Sequence, residues 1–392
     1  MKTGRAIVAM ALALAAAAAA ATTMPADRWL RAGPGYAWSF PRDHYAHPGY
    51  RTEWWYLTGH LDVAGAPADA EPCAFQFTIF RIGLDPAWDP AASDVDTTAS
   101  DWRAANLIMG HAAVTDPAAG RHVFSETLWR AAGGLGGFGV PGDALLAWCL
   151  APPGTAGTWF AALAGDTVAV RARDDRRGLA FDLRCTTSQA PLLQGPGGFS
   201  PKDATGEVGS LYYSLPRLAV TGTLRRDGRD VAVTGRAWLD REVFTSTLGA
   251  GQSGWDWVSL QLDDGRDLML YRLRTRDGRV DFALGTLATP GAPPRALPAG
   301  TWTLEPLATW TSEATGATYP VDGRLRVPAE AIDLELRAVL ADQENVSSRT
   351  GVHYWEGAVR AVASPGSPSA GRILGRGFVE LTGYGEGSRP PV

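Results

Sequence analysis

The residues with most chemical promise in this 392-residue chain are carboxylates set among tryptophans. Asp256 stands between Trp255 and Trp257, and in a strand it shares a face with Val258, Leu260 and Leu262. A carboxylate on an apolar stripe has its pKa raised by desolvation unless a cation pairs with it. A raised pKa is what a general acid working near neutrality needs. Glu53 makes the same case at the entrance of the face formed by Trp55, Leu57, Gly59 and Leu61. For both carboxylates the rival reading is a buried salt bridge, with Arg51, Arg81, Arg241 and Arg272 available. Asp240-Arg241-Glu242 puts three charges at a strand end, either as a self-neutralising cluster or as the polar floor of a cleft between domains. His353 shares a face with Trp355, while Tyr354 and Glu356 take the other. A histidine beside aromatic rings is a satisfied core residue or a proton acceptor.

The elements that position these residues are strands. Phe40 to Asp62 opens with turn chemistry (Pro41, Asp43-His44, Pro48-Gly49) and then alternates with period two from Glu53. Glu53, Trp55, Leu57, Gly59 and Leu61 share one face; Trp54, Tyr56, Thr58, His60 and Asp62 share the other. Shifted by 201 residues, Trp54, Tyr56, Thr58 and His60 fall on Trp255, Trp257, Ser259 and Gln261. In the strands that follow, Thr78 to Ile82 match Met269 to Leu273, and the second copy turns through Asp264-Gly265, a strong hairpin signal. This is read as a duplicated β unit, one per domain. Short strands continue at regular spacing, interrupted by a loop over Asp85 to Asp101 and a long polar loop over Pro191 to Ser214. No segment carries a long helical period. The expected architecture is all-β, with an N-terminal domain over 33–245 and a C-terminal domain over 246–388.

Composition narrows the function classes. Net charge is −5 and no basic stripe appears, so nucleic acid is not an expected partner. Lys2 and Arg5 precede an alanine-rich apolar run ending in Ala19-Ala20-Ala21, so residues 1–21 read as an export signal and the mature protein is expected to be periplasmic or secreted. No later segment reaches membrane-spanning length. Cys73, Cys149 and Cys185 are too far apart for a CxxC site and are read as core thiols or one optional disulfide. His44 and His47 lie in a proline-flanked turn and are read as hydrogen-bonded turn residues, so no metal is expected. There is no GxSxG elbow, HExxH, P-loop or dinucleotide fingerprint.

Several segments, in order, resemble the AttH/carotenoid 1,2-hydratase family: FPRDHYAHPGYRTEWWYLTGHL, SLYYSLPRL (Ser210 to Leu218), WLDRE (Trp238 to Glu242), GWDWVSLQLDDGRDLMLYRLR, HYWEGAV (His353 to Val359) and GRGFVELTGY (Gly375 to Tyr384). The resemblance implies two lipocalin-like β-barrel or half-barrel domains in tandem, a hydrophobic pocket in or between them, and an isoprenoid or other lipid-like ligand. It implies a hydratase-type lyase that adds water to a C=C bond. Carried over by position, Glu53, Asp240, Asp256, Tyr271 and His353 are the catalytic candidates, and Trp54, Trp55, Tyr56, Trp255, Trp257 and Trp355 the substrate-binding ones. This chain departs from the hydratase members at Arg241, where they carry a histidine, and at Val243 in place of tryptophan.

In that reading Asp256, with Asp240 second, protonates the alkene. Trp255, Trp257 and Tyr271 stabilise the carbocation by ~1–2 kcal/mol each when desolvated. His353 or Tyr271 takes the proton of the attacking water, and no cofactor is required. The rivals are a non-enzymatic carrier of a hydrophobic ligand and a secreted hydrolase. Geometry separates enzyme from carrier: Asp256 and His353 lining one cavity without an arginine favour the enzyme, whereas an Arg272 or Arg241 clamp favours the carrier. The expectation is two greasy β compartments, each entered past its carboxylate, Glu53 or Asp256.

Overall fold

The structure is a computed structural model that describes residues 28–90, 103–386 and 388–390. The expected export signal and most of the Asp85 to Asp101 loop lie outside the described residues. The chain forms two antiparallel sheets and almost no helix, one sheet a nearly closed barrel and the other a half-barrel.

The first sheet contains β1 (Thr52–Val63), β2 (Cys73–Gly83), β3 (Asn106–Asp116) and β4 (Arg121–Arg130). It continues with β5 (Gly136–Phe138), β6 (Leu145–Leu150), β7 (Thr158–Ala164), β8 (Thr167–Asp174) and β9 (Leu179–Thr186). The short β10 (Leu192–Leu193) and β11 (Phe199–Pro201) pair with β12 (Gly209–Arg226), which pairs with β13 (Arg229–Phe244). The order is β4-β3-β2-β1-β13-β12-β9-β8-β7-β6-β5. Its ends approach through side chains: Trp129 Nε1 on β4 donates to Leu150 O on β6 at 2.8 Å, and Ser125 Oγ donates to Asp174 on β8 at 2.6 Å.

The second sheet contains β14 (Gln252–Leu262), β15 (Asp267–Thr275), β16 (Val280–Ala288), β17 (Arg295–Pro298) and β18 (Thr303–Thr311). It is completed by β19 (Thr318–Val327), β20 (Ile332–Ala338), β21 (Glu344–Val346), β22 (His353–Ala363) and β23 (Ile373–Thr382). Its order is β17-β16-β15-β14-β23-β22-β20-β19-β18. The expected loop over Pro191 to Ser214 is corrected here. The chain is already a strand at Gly209, and Tyr212 hydrogen-bonds across from Glu242 within the ladder. Its serines and tyrosines face both ways into packed surroundings, so their polarity does not mark solvent.

The two-residue period decides what each sheet encloses. On β1 the odd-numbered Trp55, Leu57 and Leu61 join Phe75, Phe77 and Ile79 of β2 in a solid barrel core. On β14 the even-numbered Val258, Leu260 and Leu262 join Leu268, Tyr319 and Trp355 in the second core. Burying such side chains contributes roughly 1.5–3 kcal/mol each. The opposite faces are not solvated. Tyr56, Tyr212 and Trp238 of the first sheet meet Trp257, Tyr271 and Phe378 of the second in a third apolar cluster. Polar clasps hold that meeting: Gln261 Nε2 donates to Ala237 O at 2.9 Å, Arg217 Nε to Asp267 at 2.9 Å, and Ser348 Oγ to Glu126 at 2.8 Å. Cys73, Cys149 and Cys185 are buried and unbridged. Among the described residues, no helix is long and apolar enough to cross a membrane.

The repeat is visible in the pairing. β1 lies between β2 and β13, and β14 between β15 and β23. Tyr56 is opposite Thr78 and Asp240; its counterpart Trp257 is opposite Tyr271 and Glu380. Thr78 therefore corresponds to Tyr271 rather than to Met269. The sequence match of β2 with β15 is corrected by two residues, a slip that keeps every side chain on its expected face.

Candidate functional site

The two equivalent faces of the repeat turn toward each other and leave a cavity of about 140 Å³ between the sheets. Its walls are Trp54 and Tyr56 of β1, Tyr212 of β12, Trp255 and Trp257 of β14, and Tyr271 of β15. Its half-buried or exposed lining residues include Ile82, Met109, Thr350 and Val352.

Four carboxylates enter this aromatic space. Asp240 is buried and receives hydrogen bonds from Ser214 Oγ at 2.5 Å, Tyr212 Oη at 2.6 Å and Trp238 Nε1 at 2.6 Å. Burial pushes its pKa up to about 7 against the pull of those donors, and neighbouring Glu242 raises it further. Among the described residues Glu356, 1% exposed, accepts only the Tyr56 hydroxyl, at 2.6 Å on Oε1, while Oε2 has no partner. Burial, then the charges of Glu380 and Asp240, hold its pKa well above the carboxylate range. Glu380 accepts Trp255 Nε1 at 2.9 Å and is raised to about 7, chiefly by desolvation; it is half-buried, so solvent softens the effect. Glu242 is paired with Lys202 at 2.8 Å and accepts Ser210 Oγ at 2.5 Å. Lys202 lies over the Tyr271 ring, 4.1 Å from its centroid. Burial opposes its charge, but Glu242 keeps its pKa raised.

The remaining polar lining is neutral. Tyr212 Oη accepts from Trp257 Nε1 at 3.0 Å, joining the two sheets above Asp240. Tyr271 Oη lies 3.0 Å from Ser200 Oγ. On β3, His111 Nδ1 is 2.8 Å from Tyr354 Oη, and burial lowers its pKa to about 4, against the pull of Glu126.

The structure brings together Asp240, Tyr271, Trp54, Tyr56, Trp255 and Trp257. It places Glu53, Asp256, His353, Trp55 and Trp355 elsewhere, on the inward faces of the two sheets. Glu53 is clamped by Arg81 and by Arg241 at 2.5 Å, and also receives His47 N at 2.9 Å. Burial raises the pKa of Glu53 and the two guanidiniums overcome it, leaving the acid well below its usual value. Asp256 is held by Arg272 at 2.6 Å and Arg274 at 2.8 Å, and Tyr384 Oη donates to it at 2.9 Å. Trp55 lies under the Arg241 guanidinium, 3.7 Å from its ring, and Trp355 is in the second core. His353 is buried against Gly385. The expectation of one large hollow inside each β compartment is therefore corrected: the main cavity lies between the sheets, and the second interior keeps only a small hollow of about 10 Å³ beside Asp256. Strand parity is the reason, since Glu53 and Asp256 sit one residue out of phase with the cavity-facing aromatics.

Sequence reasoning missed Glu356, Glu380, Lys202, Tyr212 and His111 as site residues. The available signal was the alternation that set Tyr354 and Glu356 opposite His353. Among the described residues no group of three His, Cys, Asp or Glu is arranged to hold a metal ion.

A family model described as AttH-like matches residues 31–384. The chain is similar to the crystal structure of an AttH protein from Nitrosomonas europaea, at 31% identity and a TM-score of 0.72, covering 91% of this chain and 99% of that one. It is also similar to kievitone hydratase from Nectria haematococca, at 14% identity and a TM-score of 0.60, covering 90% of this chain and 96% of that one. The second likeness bears on the fold alone. Comparison with curated proteins finds no match.

Proposed function

We propose, from the premise that the chain belongs to the AttH-like family, that it takes an apolar unsaturated small molecule into the inter-sheet cavity and adds water across a C=C bond. The observation that carries this reading is Glu356, a deeply buried carboxyl whose pKa is held well above the carboxylate range by burial, with one oxygen unpartnered in an aromatic-walled cavity. Its proton passes to one alkene carbon, the π electrons forming the new C–H bond and leaving a cation on the neighbouring carbon. Trp255, Trp257 and Tyr271 face that charge. Water bonds to the cation and gives up a proton to Asp240, whose pKa of about 7 suits a base. Proton exchange through solvent then restores both carboxyls, and the net change is alkene plus water to alcohol. The hydratase name of the second neighbour is in keeping with such a reaction. Incubation with a panel of acyclic terpenes and prenylated phenols in ¹⁸O-water tests it. A product carrying one labelled oxygen, lost in Glu356→Gln, is expected; recovery of every compound unchanged sinks the reading.

The second reading is a carrier of a hydrophobic ligand. It is favoured by the Arg272 clamp on Asp256, the geometry set out above as its sign. A carrier returns bound ligand chemically unaltered from both the native protein and the Glu356→Gln variant. For either reading we infer export, on the basic start and alanine run of residues 1–21. N-terminal sequencing of protein from the periplasm should begin just after Ala21; a retained Lys2 in that fraction contradicts it.

A further inference from the structure

The cavity holds more acid than the described residues neutralise. Its charged lining consists of Asp240 and Glu242 on β13, Glu356 on β22, Glu380 on β23 and Lys202 beside β11. Lys202 is taken by Glu242. The other three carboxyls are met by neutral donors: hydroxyls and an indole at Asp240, the Tyr56 phenol at Glu356, and the Trp255 indole at Glu380.

A second observation points to what the cavity lacks. Besides Thr247 Oγ1, three polar atoms of lining residues, Glu356 Oε2, Gln76 Oε1 and His111 Nε2, are buried without a partner among the described residues. Their side chains are 1%, 2% and 3% exposed. Natural proteins rarely leave such groups unmatched. Gln76 presents an acceptor there, as does Glu356 once its proton has left, and as does His111 when its hydrogen sits on Nδ1 facing Tyr354 Oη. The three are neighbours in the weave. Thr78, two residues from Gln76 on the same face, is opposite both His111 on β3 and Tyr56 on β1, and Tyr56 reaches Glu356. An alkylammonium group carries three donors, no acceptor and one positive charge. Tryptophan faces attract such cations, and Trp54, Trp255 and Trp257 stand in the same cavity.

We propose that this cavity is a receptor for a lipophilic ammonium ion, its head in the Glu356–Gln76–His111 corner and its hydrocarbon between Trp54, Trp255 and Trp257. The inference rests on the hydration reading in one respect, since a bound ammonium mimics the charge of the carbocation. Binding exchanges ions: the ammonium enters and a carboxyl proton leaves to solvent, so the charge of the site is conserved. The titratable groups facing the head are Glu356 and Tyr354 of β22, Tyr56 of β1, His111 of β3, Asp240 and Glu242 of β13, and Glu380 of β23. Tyr212, Tyr271 and Lys202 complete the set. The phenols and Lys202 keep their protons at neutral pH and His111 stays neutral, so the carboxyls supply the proton. With Asp240 and Glu380 raised to about 7, and Glu356 raised by burial well above the carboxylate range, affinity for a cation falls as pH falls through 7.

Isothermal titration calorimetry with geranylamine and its neutral isostere geraniol tests this on the whole protein. Geranylamine stays protonated to about pH 10, by analogy with lysine. It should bind at least about tenfold more tightly than geraniol at pH 8, with affinity rising by up to about tenfold per pH unit from pH 6, since one proton is released per cation bound. The heat should vary with buffer ionisation enthalpy for geranylamine alone. Glu356→Gln should cost geranylamine about tenfold more affinity than it costs geraniol, and Glu380→Gln, at a half-buried site, provides a second variant if the first does not fold. Equal binding of the two compounds at pH 8, or geranylamine binding without proton release, overturns the proposal. Proton-linked geranylamine binding by a protein that hydrates no alkene supports the ammonium receptor and removes the hydratase. Hydration without any preference for geranylamine does the reverse.

Discussion

Glu356, Asp240 and Glu53 are all buried, and their behaviour differs with the charges and hydrogen bonds around them. Glu356 has one phenol and no cation, so replacing it with glutamine removes the proton donor while keeping the shape. Hydration should fall by about 10²–10⁴-fold, measured as labelled alcohol formed per minute. Asp240 supplies the opposite role and the opposite sign of pH dependence. As the acceptor of the water proton it must be ionised, so kcat/KM should rise as pH rises through about 7. A profile from pH 5 to 9 checks this; the limb should vanish in Asp240→Asn, and the fitted value belongs to the carboxyl cluster as a whole. Glu53 is a structural ion. Glu53→Gln leaves Arg81 and Arg241 buried without their counter-charge and should cost about 3–5 kcal/mol in denaturant unfolding. Unchanged stability there means that the clamp is not structural.

At the scale of elements, alternation in the sequence told which residues share a face and could not tell which face meets the cavity. On β1 both faces are buried, one in the barrel core and the other against the second sheet, so Trp55 and Trp54 look alike to a pattern of apolar spacing. The cross-strand partners were equally out of reach. Glu53 lies opposite Arg81, and Asp256 opposite Arg272, but register is fixed by turn geometry and packing rather than by either residue. Tyr212 was hidden for a different reason: polar β12 sequence imitates a loop when both of its faces are packed. The repeat was legible because Trp54-x-Tyr56 and Trp255-x-Trp257 perform one task twice. A packing detail on β22 gives a prediction at this scale. A Cβ at Gly357 would lie 1.8 Å from the Trp355 ring, whose indole covers that stretch of strand. Gly357→Ala should therefore force the indole out of its place in the second core and cost about 1–3 kcal/mol. Thermal unfolding followed by tryptophan fluorescence checks it, and an unshifted midpoint refutes the packing account.

Across the whole molecule, two groups of carboxylates oppose one another in their effect on stability. Glu53 has a folded pKa well below its ordinary value. Its contribution is present above the unfolded pKa of about 4.3 and is lost as pH falls through the folded one. Asp240 and Glu380, raised to about 7, and Glu356, held well above its ordinary value by burial, act in the other direction. Their contribution is fully present below about pH 4 and is lost as pH rises through 7, because the unfolded chain ionises them freely and the cavity does not. The ligand-free protein should thus lose stability from about pH 5 to pH 8. Asp240→Asn and Glu380→Gln should each flatten that slope, and geranylamine should flatten it further by accepting the charge. Because the cavity is made of both sheets, with Tyr56 bonded to Glu356 and Tyr212 to Trp257 across it, the loss falls on their association. Calorimetric scans at pH 5 and pH 8 should show one transition for both sheets at the lower pH and a lower midpoint at the higher. Two separate transitions at pH 5, or a midpoint that climbs toward pH 8, would mean that the inter-sheet carboxyls are not coupled to the fold in this way.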